Sequence, residues 1–423
     1  MIKEQLSDNI ALNYIGLNKF KSNYLSVSFL LPFEKRSAAM NTLIMKILKR
    51  GTVNYPDMTA LSKKLEYLYS ADIFTKATSF GETQVLSFSI DALDNRFATD
   101  GTDILGEAIK LLGEIIFAPV TENGVFKEAY FESEKRNQLD DISAEINSKA
   151  KYALSRCSEH MFKDEKYRFS SLGDYDAVAG FTNKEVYSHY LSILSHAAVN
   201  VTFVGNADIE KLKSSLLEML KPYAPSDIYK CSTEVVRSVD VPKEIQEECV
   251  GKQGNLVMGF RSGTVLSDGD YPRMALMSEL YGGAPSSKLF MNVREKMSLC
   301  YYCVSIPEAV KGIMFVRAGI ENANFETARD AILEQLELMK KGEFGDDELE
   351  SAKLSLINAY REISDNPQSL QNWYIGRALS GITQSPDEAI EAVKNITREE
   401  IVATANKVVL DTVYFLRGVM KGE

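Results

Sequence analysis

The chain of 423 residues contains three histidines, one tryptophan and five cysteines, and each shortage excludes a kind of chemistry. His160, His189 and His196 include no pair at the i,i+4 spacing that stacks two imidazoles on one face of a helix, so a histidine-based zinc centre or autonomous triad has little to be built from. His189 and His196 fall near one helical face with no carboxylate between them on it, which reads as packing or surface. Cys157, Cys231, Cys249, Cys300 and Cys303 are odd in number and sparse for the length, the pattern of reduced thiols and not of a disulfide framework. Only Cys300-Tyr-Tyr-Cys303 has a motif spacing. The aromatic and β-branched residues around it predict a strand, where positions three apart point to opposite faces, so the two thiols are expected neither to share a metal nor to form an unstrained bridge.

Long apolar runs are also missing. The uncharged stretch 190–207 is broken by Ser192, Ser195, His196, Asn200 and Thr202, and could not cross a bilayer with its polar groups satisfied. The first residues, Met1-Ile2-Lys3-Glu4-Gln5-Leu6, lack the apolar core and cleavage site of a signal peptide, so a soluble, cytoplasmic protein is expected. Against 59 Asp+Glu stand only 48 Lys+Arg, a net charge of -11. That sign disfavours both nucleic acid and an anionic membrane surface as partners. No Gly-x-Ser-x-Gly elbow, phosphate-binding Gly-x-x-x-x-Gly-Lys loop or dinucleotide fingerprint occurs.

What the chain does have is apolar content of 45%, ample for the cores of two or three domains, and one internal duplication. A strand at 24–31 leads into an amphipathic helix near Ser37, and 255–260 leads into a helix at 271–280. A strand pair follows each time, 71–80 with 83–93, then 301–306 with 312–319. Late in each half a Thr-x-x-Glu capping box, Thr182 to Glu185 and Thr397 to Glu400, opens a helix before a strand at 199–205 or 412–418. Without regular βαβ alternation, this order predicts an α+β protein of two homologous domains, each a mostly antiparallel sheet covered by helices. The run from Pro222 to Pro242 reads as a polar, β-rich linker, which divides the chain into domains 1–229 and 230–423.

In the helix 37–49, Met40, Leu43, Ile44, Ile47 and Leu48 form a complete buried stripe, with Thr42, Met45 and Lys46 on the adjacent face. Residues 129–161 read as one long helix or a broken pair carrying Glu132, Glu134, Asp140, Asp141 and Glu145, by themselves a solvated acidic face. Arg294-Glu295-Lys296 alone is a charged helix end and Tyr301 a strand aromatic.

Six runs in order, Gly51-Thr52, Leu172-Gly173, Val204-Gly205, Tyr281-Gly-Gly-Ala-Pro-Ser-Ser-Lys-Leu289, Val293-Arg-Glu-Lys296 with 299–301, and Glu348-Leu-Glu-Ser-Ala-Lys353, resemble the insulinase/pitrilysin (inverzincin) metallopeptidases over nearly the whole chain. The chain looks similar to metal-free bacterial members whose names link them to modification of elongation factor P. The resemblance implies paired α+β domains forming a clam-like half chamber. It places a His-x-x-Glu-His zinc motif on Thr42, Met45 and Lys46, and a Glu separated by seven residues from a second acid on Glu134 and Asp141. Thr is a poor ligand, Met cannot accept a proton and a Lys ammonium repels a dication, so a degenerate site without metal is expected. Lys46 is expected to stand near Asp141 and neutralise it.

The resemblance also gives the second half a substrate-contacting Arg and Tyr, which fall on Arg294 and Tyr301. They would supply guanidinium donors for a carbonyl and a phenol for a developing oxyanion. Gly282 and Gly283 would either let backbone approach a peptide or end a helix. An edge strand near 71–80 is where the family adds substrate as an extra strand. The implied protein is non-catalytic on its own. It would contribute peptide binding to a zinc-bearing subunit of the same family, the zinc residing only in that partner, or bind peptide or unfolded segments as a scaffold paired with a second copy of itself.

Overall fold

The computed structural model describes residues 2–167 and 170–420. The chain divides into two compact units, one of residues 1–143, 170–232 and 370–375, the other of 144–169, 233–369 and 376–423. The first sheet is built from β1 (Ile2–Ser7), β2 (Ile10–Gly16), β3 (Ser22–Pro32), β4 (Asp72–Phe80) and β5 (Thr83–Leu93). After a small ribbon of β6 (Thr121–Glu122) and β7 (Val125–Phe126), β8 (Ala198–Gly205) completes it in the order β1-β2-β8-β3-β5-β4. The second sheet contains β9 (Lys243–Val250), β10 (Gly254–Arg261), β11 (Cys300–Glu308), β12 (Ile313–Ile320) and β13 (Val409–Val419), in the order β11-β12-β10-β13-β9.

Without β1, the first path reads β2-β8-β3-β5-β4 and the second, reversed, β9-β13-β10-β12-β11: the same topology twice. Each sheet is antiparallel except for one parallel pair, β2 with β8 and β9 with β13. The α+β class and the duplication therefore hold at the level of strand order. The opening strands β2 and β9 are absent from the sequence reading. Ile10, Leu12 and Tyr14 alternate as a strand should, but β9 is five-eighths charged or amide and hides its alternation of Ile245, Glu247 and Cys249. The run expected to be β-rich up to Pro242 is irregular.

Among the described residues, eight α-helices lie in the first half of the chain: α1 (Lys35–Leu48), α2 (Met58–Tyr67), α3 (Ile104–Phe117), α4 (Glu128–Glu145), α5 (Lys149–Met161), α6 (Tyr175–Ala179), α7 (Asn183–His196) and α8 (Ile209–Met219). The second half adds α9 (Tyr271–Ser278), α10 (Phe325–Lys340), α11 (Asp346–Ile363), α12 (Pro367–Leu379), α13 (Pro386–Lys394) and α14 (Arg398–Ala405). The predicted stripe of α1 is buried as drawn. Thr182 and Thr397 cap α7 and α14, but only Thr397 has its capping box; Glu185 turns instead to Arg36, 2.6 Å away. The acidic stretch 129–161 is a broken pair, α4 and α5, interrupted at 146–148.

That break explains why the compact units are not the contiguous halves 1–229 and 230–423. α5 follows α4 in the first half but belongs to the second unit, where Ala153, Leu154, Cys157 and Met161 pack with Val257, Phe315 and Tyr414. Gly259 of β10 is shaped for it, since a Cβ there would lie 2.5 Å from Met161 Sδ. In the second half α12 follows α11, and its residues 370–375 belong to the first unit. There Gln371 accepts from the Tyr24 hydroxyl at 2.5 Å and donates to Ser28 and Ser87 at 3.2 and 2.9 Å. Each half thus lends the equivalent helix to the sheet of the other.

α5 is tied down by charge as well as packing. Arg156 donates to both carboxylate oxygens of Glu247 on β9, at 3.1 and 2.6 Å, and Tyr414 donates to the same group at 2.9 Å. Arg156 foremost, against the opposing effect of burial, and then His160 and Tyr414 hold the Glu247 carboxyl down at about 2. A depressed carboxylate contributes stability above its ordinary pKa and loses it as pH falls through the folded value. Glu247→Gln is therefore expected to lower stability at pH 7 by about 1–3 kcal/mol. The variant should also lose less than the wild type between about pH 4.5 and 2, which urea midpoints across that range would measure.

Candidate functional site

The positions matched to the zinc motif lie on α1, from which Lys46 reaches α4. Thr42 Oγ1 donates to the carbonyls of Ala38 and Ser171, 3.1 and 2.8 Å away. Met45 is 3% exposed within the main core cluster of the first unit. Lys46 Nζ stands 2.5 Å from Asp141 Oδ2, the proximity expected from sequence. The side chains are 25% and 57% exposed, so this is a solvated pair worth about 1 kcal/mol or less. One turn on, Arg50 pairs with Glu134 at 2.9 Å and stacks over Tyr130. Arg50 was not singled out from sequence.

This donor set does not fit zinc. A hydroxyl already donating to carbonyls, a thioether in the core and an ammonium replace two imidazoles and a carboxylate, and both remaining acids are neutralised by cations. Among the described residues, no three His, Cys, Asp or Glu side chains converge as metal ligands. His189 bonds Asn41 at 2.8 Å, His160 contacts Glu247 at 3.2 Å and His196 stacks on Tyr229. All three histidines have structural partners.

In the second unit, Arg294 and Tyr301 line one open pocket of about 410 Å³ with Glu295, Ser298, Leu299, Cys300 and Glu321. The chain reaches it through an irregular junction. Two π-helical segments, Glu279–Gly283 and Leu289–Lys296, follow α9, and Ser298 then takes the left-handed conformation, φ 51°, before the chain enters edge strand β11. Arg294 lies over the Phe290 ring, 4.4 Å from its centroid, and approaches Glu295 only to 3.6 Å, too far for a tight hydrogen bond. The Tyr301 hydroxyl donates to Glu321 Oε1, and that bond, with the charge of the carboxylate, raises its pKa. Glu321 was not identified in the sequence. It follows β12 and has no motif around it.

Gly282 and Gly283 are surrounded by the chain's own atoms. A Cβ on Gly282 would lie 2.8 Å from the backbone nitrogen of Ser305, and one on Gly283 would lie 2.3 Å from a carboxylate oxygen of Glu279. The close approach made by Gly282 in the structure is therefore to strand β11. In the first unit β4 is an edge strand, with Phe74 partly exposed on it.

The two thiols of Cys300-Tyr-Tyr-Cys303 depart from the sequence expectation. The pairing of β11 with β12 matches Cys300 to Ile320 and Tyr302 to Gly319, so β11 carries one extra residue there. This β-bulge cancels the alternation that would have separated the cysteines. Cys303 foremost, with Arg294 assisting and burial opposing, lowers the Cys300 pKa, while Cys300 foremost, with burial, pushes Cys303 well up.

The sheet unit present twice thus carries a filled α1/α4 site in one copy and an Arg/Tyr pocket in the other. The family described as "Peptidase M16 inactive domain" matches residues 180–356. The chain is 30% identical over 409 residues to the "Probable inactive metalloprotease YmfF" of Bacillus subtilis, covering 97% of this chain and 96% of that one. Its fold matches a conserved protein from Enterococcus faecalis, with TM-score 0.91 and 26% identity over 100% of this chain and 99% of the other. It also matches, in fold, a "peptidase M16 inactive domain" from Pseudomonas fluorescens, with TM-score 0.81 and 16% identity, covering 100% and 99%. The chain belongs to the M16 metallopeptidase family, as an inactive, non-catalytic homologue. No helix among the described residues is long and apolar enough to cross a membrane.

Proposed function

We propose that this chain is the metal-free, cytoplasmic subunit of a two-chain peptidase, contributing peptide binding to a zinc-bearing M16 partner. The observation that carries the reading is the contrast between the two sites: the α1/α4 positions are filled by side chains that satisfy one another, whereas Arg294 and Tyr301 line an open pocket. A guanidinium braced on an aromatic ring is suited to a peptide carbonyl or terminal carboxylate, and the edge of β4 can accept an extended peptide. A binding role without hydrolysis, in which a second copy replaces the zinc subunit, is favoured by one detail. The Tyr301 proton is already donated to Glu321, so an oxyanion would have to compete with a carboxylate for it.

Co-expression with a zinc-bearing M16 peptidase of the same genome, followed by metal analysis and a peptidase assay, separates the readings. Turnover is expected only in the mixture, reduced about 100-fold or more by Arg294→Ala or Tyr301→Phe, the scale of losing one oxyanion donor. Peptide binding with no turnover in the mixture would favour the scaffold, and zinc-dependent turnover by this chain alone would overturn both.

A further inference from the structure

The bulge in β11 creates a pair of thiols at the pocket. Cys300 is half-buried and lines the cavity beside Arg294, whereas Cys303 is 1% exposed behind it. The bulge puts both on one face of the strand, Cys300 opposite Ile320 and Cys303 opposite Ala318. The other cysteines lack this setting. Cys157 and Cys249 are buried, and burial pushes the Cys157 thiol strongly up; Cys231 is half-buried and burial raises it too. A thiol that is open to small solutes, beside a guanidinium and backed by a second thiol has the surroundings of a redox-sensitive cysteine. The conventional reading of the same residues is packing at the end of an edge strand, which gives no reason for the exposed member to face a cavity with Arg294.

We propose that Cys300 is an oxidation site and Cys303 its resolving thiol, so that a hydroperoxide converts the pair into an intrachain disulfide. In the first step the Cys300 thiolate attacks the peroxide, an S–O bond forms and the O–O bond breaks. Hydroxide, or the alkoxide of an organic hydroperoxide, leaves and takes a proton from water. In the second step Cys303 sulfur attacks the sulfenic sulfur, the S–S bond forms, the S–O bond breaks and water leaves with the thiol proton of Cys303. The two sulfurs lose two electrons and the peroxide gains them. Thiol–disulfide exchange with a cellular dithiol reverses the reaction. The new bond closes a ring around Tyr301 and Tyr302, so the oxidised pocket differs from the reduced one. The proposal concerns the thiols and stands whether or not the pocket binds peptide.

The test treats the reduced full-length protein with hydrogen peroxide, blocks remaining thiols by alkylation and maps the peptides by mass spectrometry. The expected product is a Cys300–Cys303 disulfide, two hydrogens lighter and restored by dithiothreitol, with Cys157, Cys231 and Cys249 still alkylated. With Cys303→Ser, dimedone should capture a sulfenic acid on Cys300; with Cys300→Ser, Cys303 should remain a thiol. Cys303→Ala replaces the serine variant if circular dichroism shows that a hydroxyl disrupts that buried position. Without peroxide, iodoacetamide at pH 7 should label Cys300 about tenfold faster than Cys231. A sulfinic acid on Cys300 in the wild type, a bond between two chains, labelling of Cys300 no faster than of Cys231, or an unmodified pair under peroxide that oxidises free cysteine would each overturn it.

Discussion

The triple variant Thr42→His, Lys46→His and Asp141→Glu is expected to bind about one equivalent of zinc, where the wild type binds none. Geometry supports the expectation, because Lys46 and Asp141 already touch across α1 and α4 and Thr42 lies one turn before Lys46. Two imidazoles and a carboxylate would then meet where an ammonium now meets a carboxylate. The imidazole at position 42 must give up the present bond to the Ser171 carbonyl, a neutral bond worth about 1 kcal/mol. An affinity gain of at least about a thousandfold, near 4 kcal/mol, would be seen by competition with a chromophoric chelator. Adding Met45→Glu supplies the missing base but places a carboxylate where Met45 is 3% exposed, so this quadruple variant should be less stable unless metal is present. A folded triple variant with no more zinc than the wild type would show that these positions do not surround a former metal site.

Arg261→Leu should be among the most damaging single substitutions in the second unit. The Arg261 side chain is 2% exposed and donates through Nε to Asp411 at 2.7 Å and through Nη2 to Glu165 at 2.7 Å, while its plane covers Phe162. Lys311, with 0% exposure, meets the other oxygen of Glu165 at 2.6 Å. Burial opposes ionisation of Glu165, but the bonds from Arg261 and Lys311 outweigh it and hold its pKa down. Removing the guanidinium leaves Asp411, also 2% exposed, as an uncompensated buried charge, at a cost of about 3–5 kcal/mol. Arg261→Lys should recover only part of the loss, because an ammonium cannot span two carboxylates as the planar fork does. Urea unfolding followed by circular dichroism would measure both; a loss below about 1 kcal/mol for the leucine variant would mean the site relaxes or hydrates. The single tryptophan, Trp373, lies in the exchanged part of α12, so its fluorescence reports separately on the first unit.

The parts legible in the sequence were those written as local patterns. The α1 stripe, the threonine caps and the hairpins at 71–93 and 301–319 are of this kind, and they carry the duplication without its opening strands β2 and β9. What escaped were features that depend on pairing between distant segments. β9, with Lys243, Glu244, Glu247 and Glu248 among its eight residues, looks like a solvated linker until β13 pairs beside it and Arg156 neutralises Glu247. The Cys300–Cys303 juxtaposition depends on one extra residue against Ile320, a register that no strand periodicity contains. At the degenerate site, the replaced residues were readable, but the Arg50–Glu134 pair was not, because Arg50 lies past the end of α1 and only the turn toward α4 gives it a partner. Glu321 likewise meets Tyr301 at the open end of the β11–β12 hairpin, 20 residues away in sequence.

The reciprocal loan of α5 and α12 also sets a timetable for synthesis. The first sheet has all its strands once Gly205 has been made, but the Tyr24, Ser28 and Ser87 groups on it lack Gln371 until most of the second half has left the ribosome. Meanwhile α5 exists long before β10 and β13, with Leu154, Cys157 and Met161 forming an apolar face that has no sheet to cover. Domains in tandem ordinarily mature one after the other from the N-terminus. Here the nascent first half must carry an orphan helix and an unfinished polar surface until its sibling is translated, so the two copies of the duplicated fold reach their native state together.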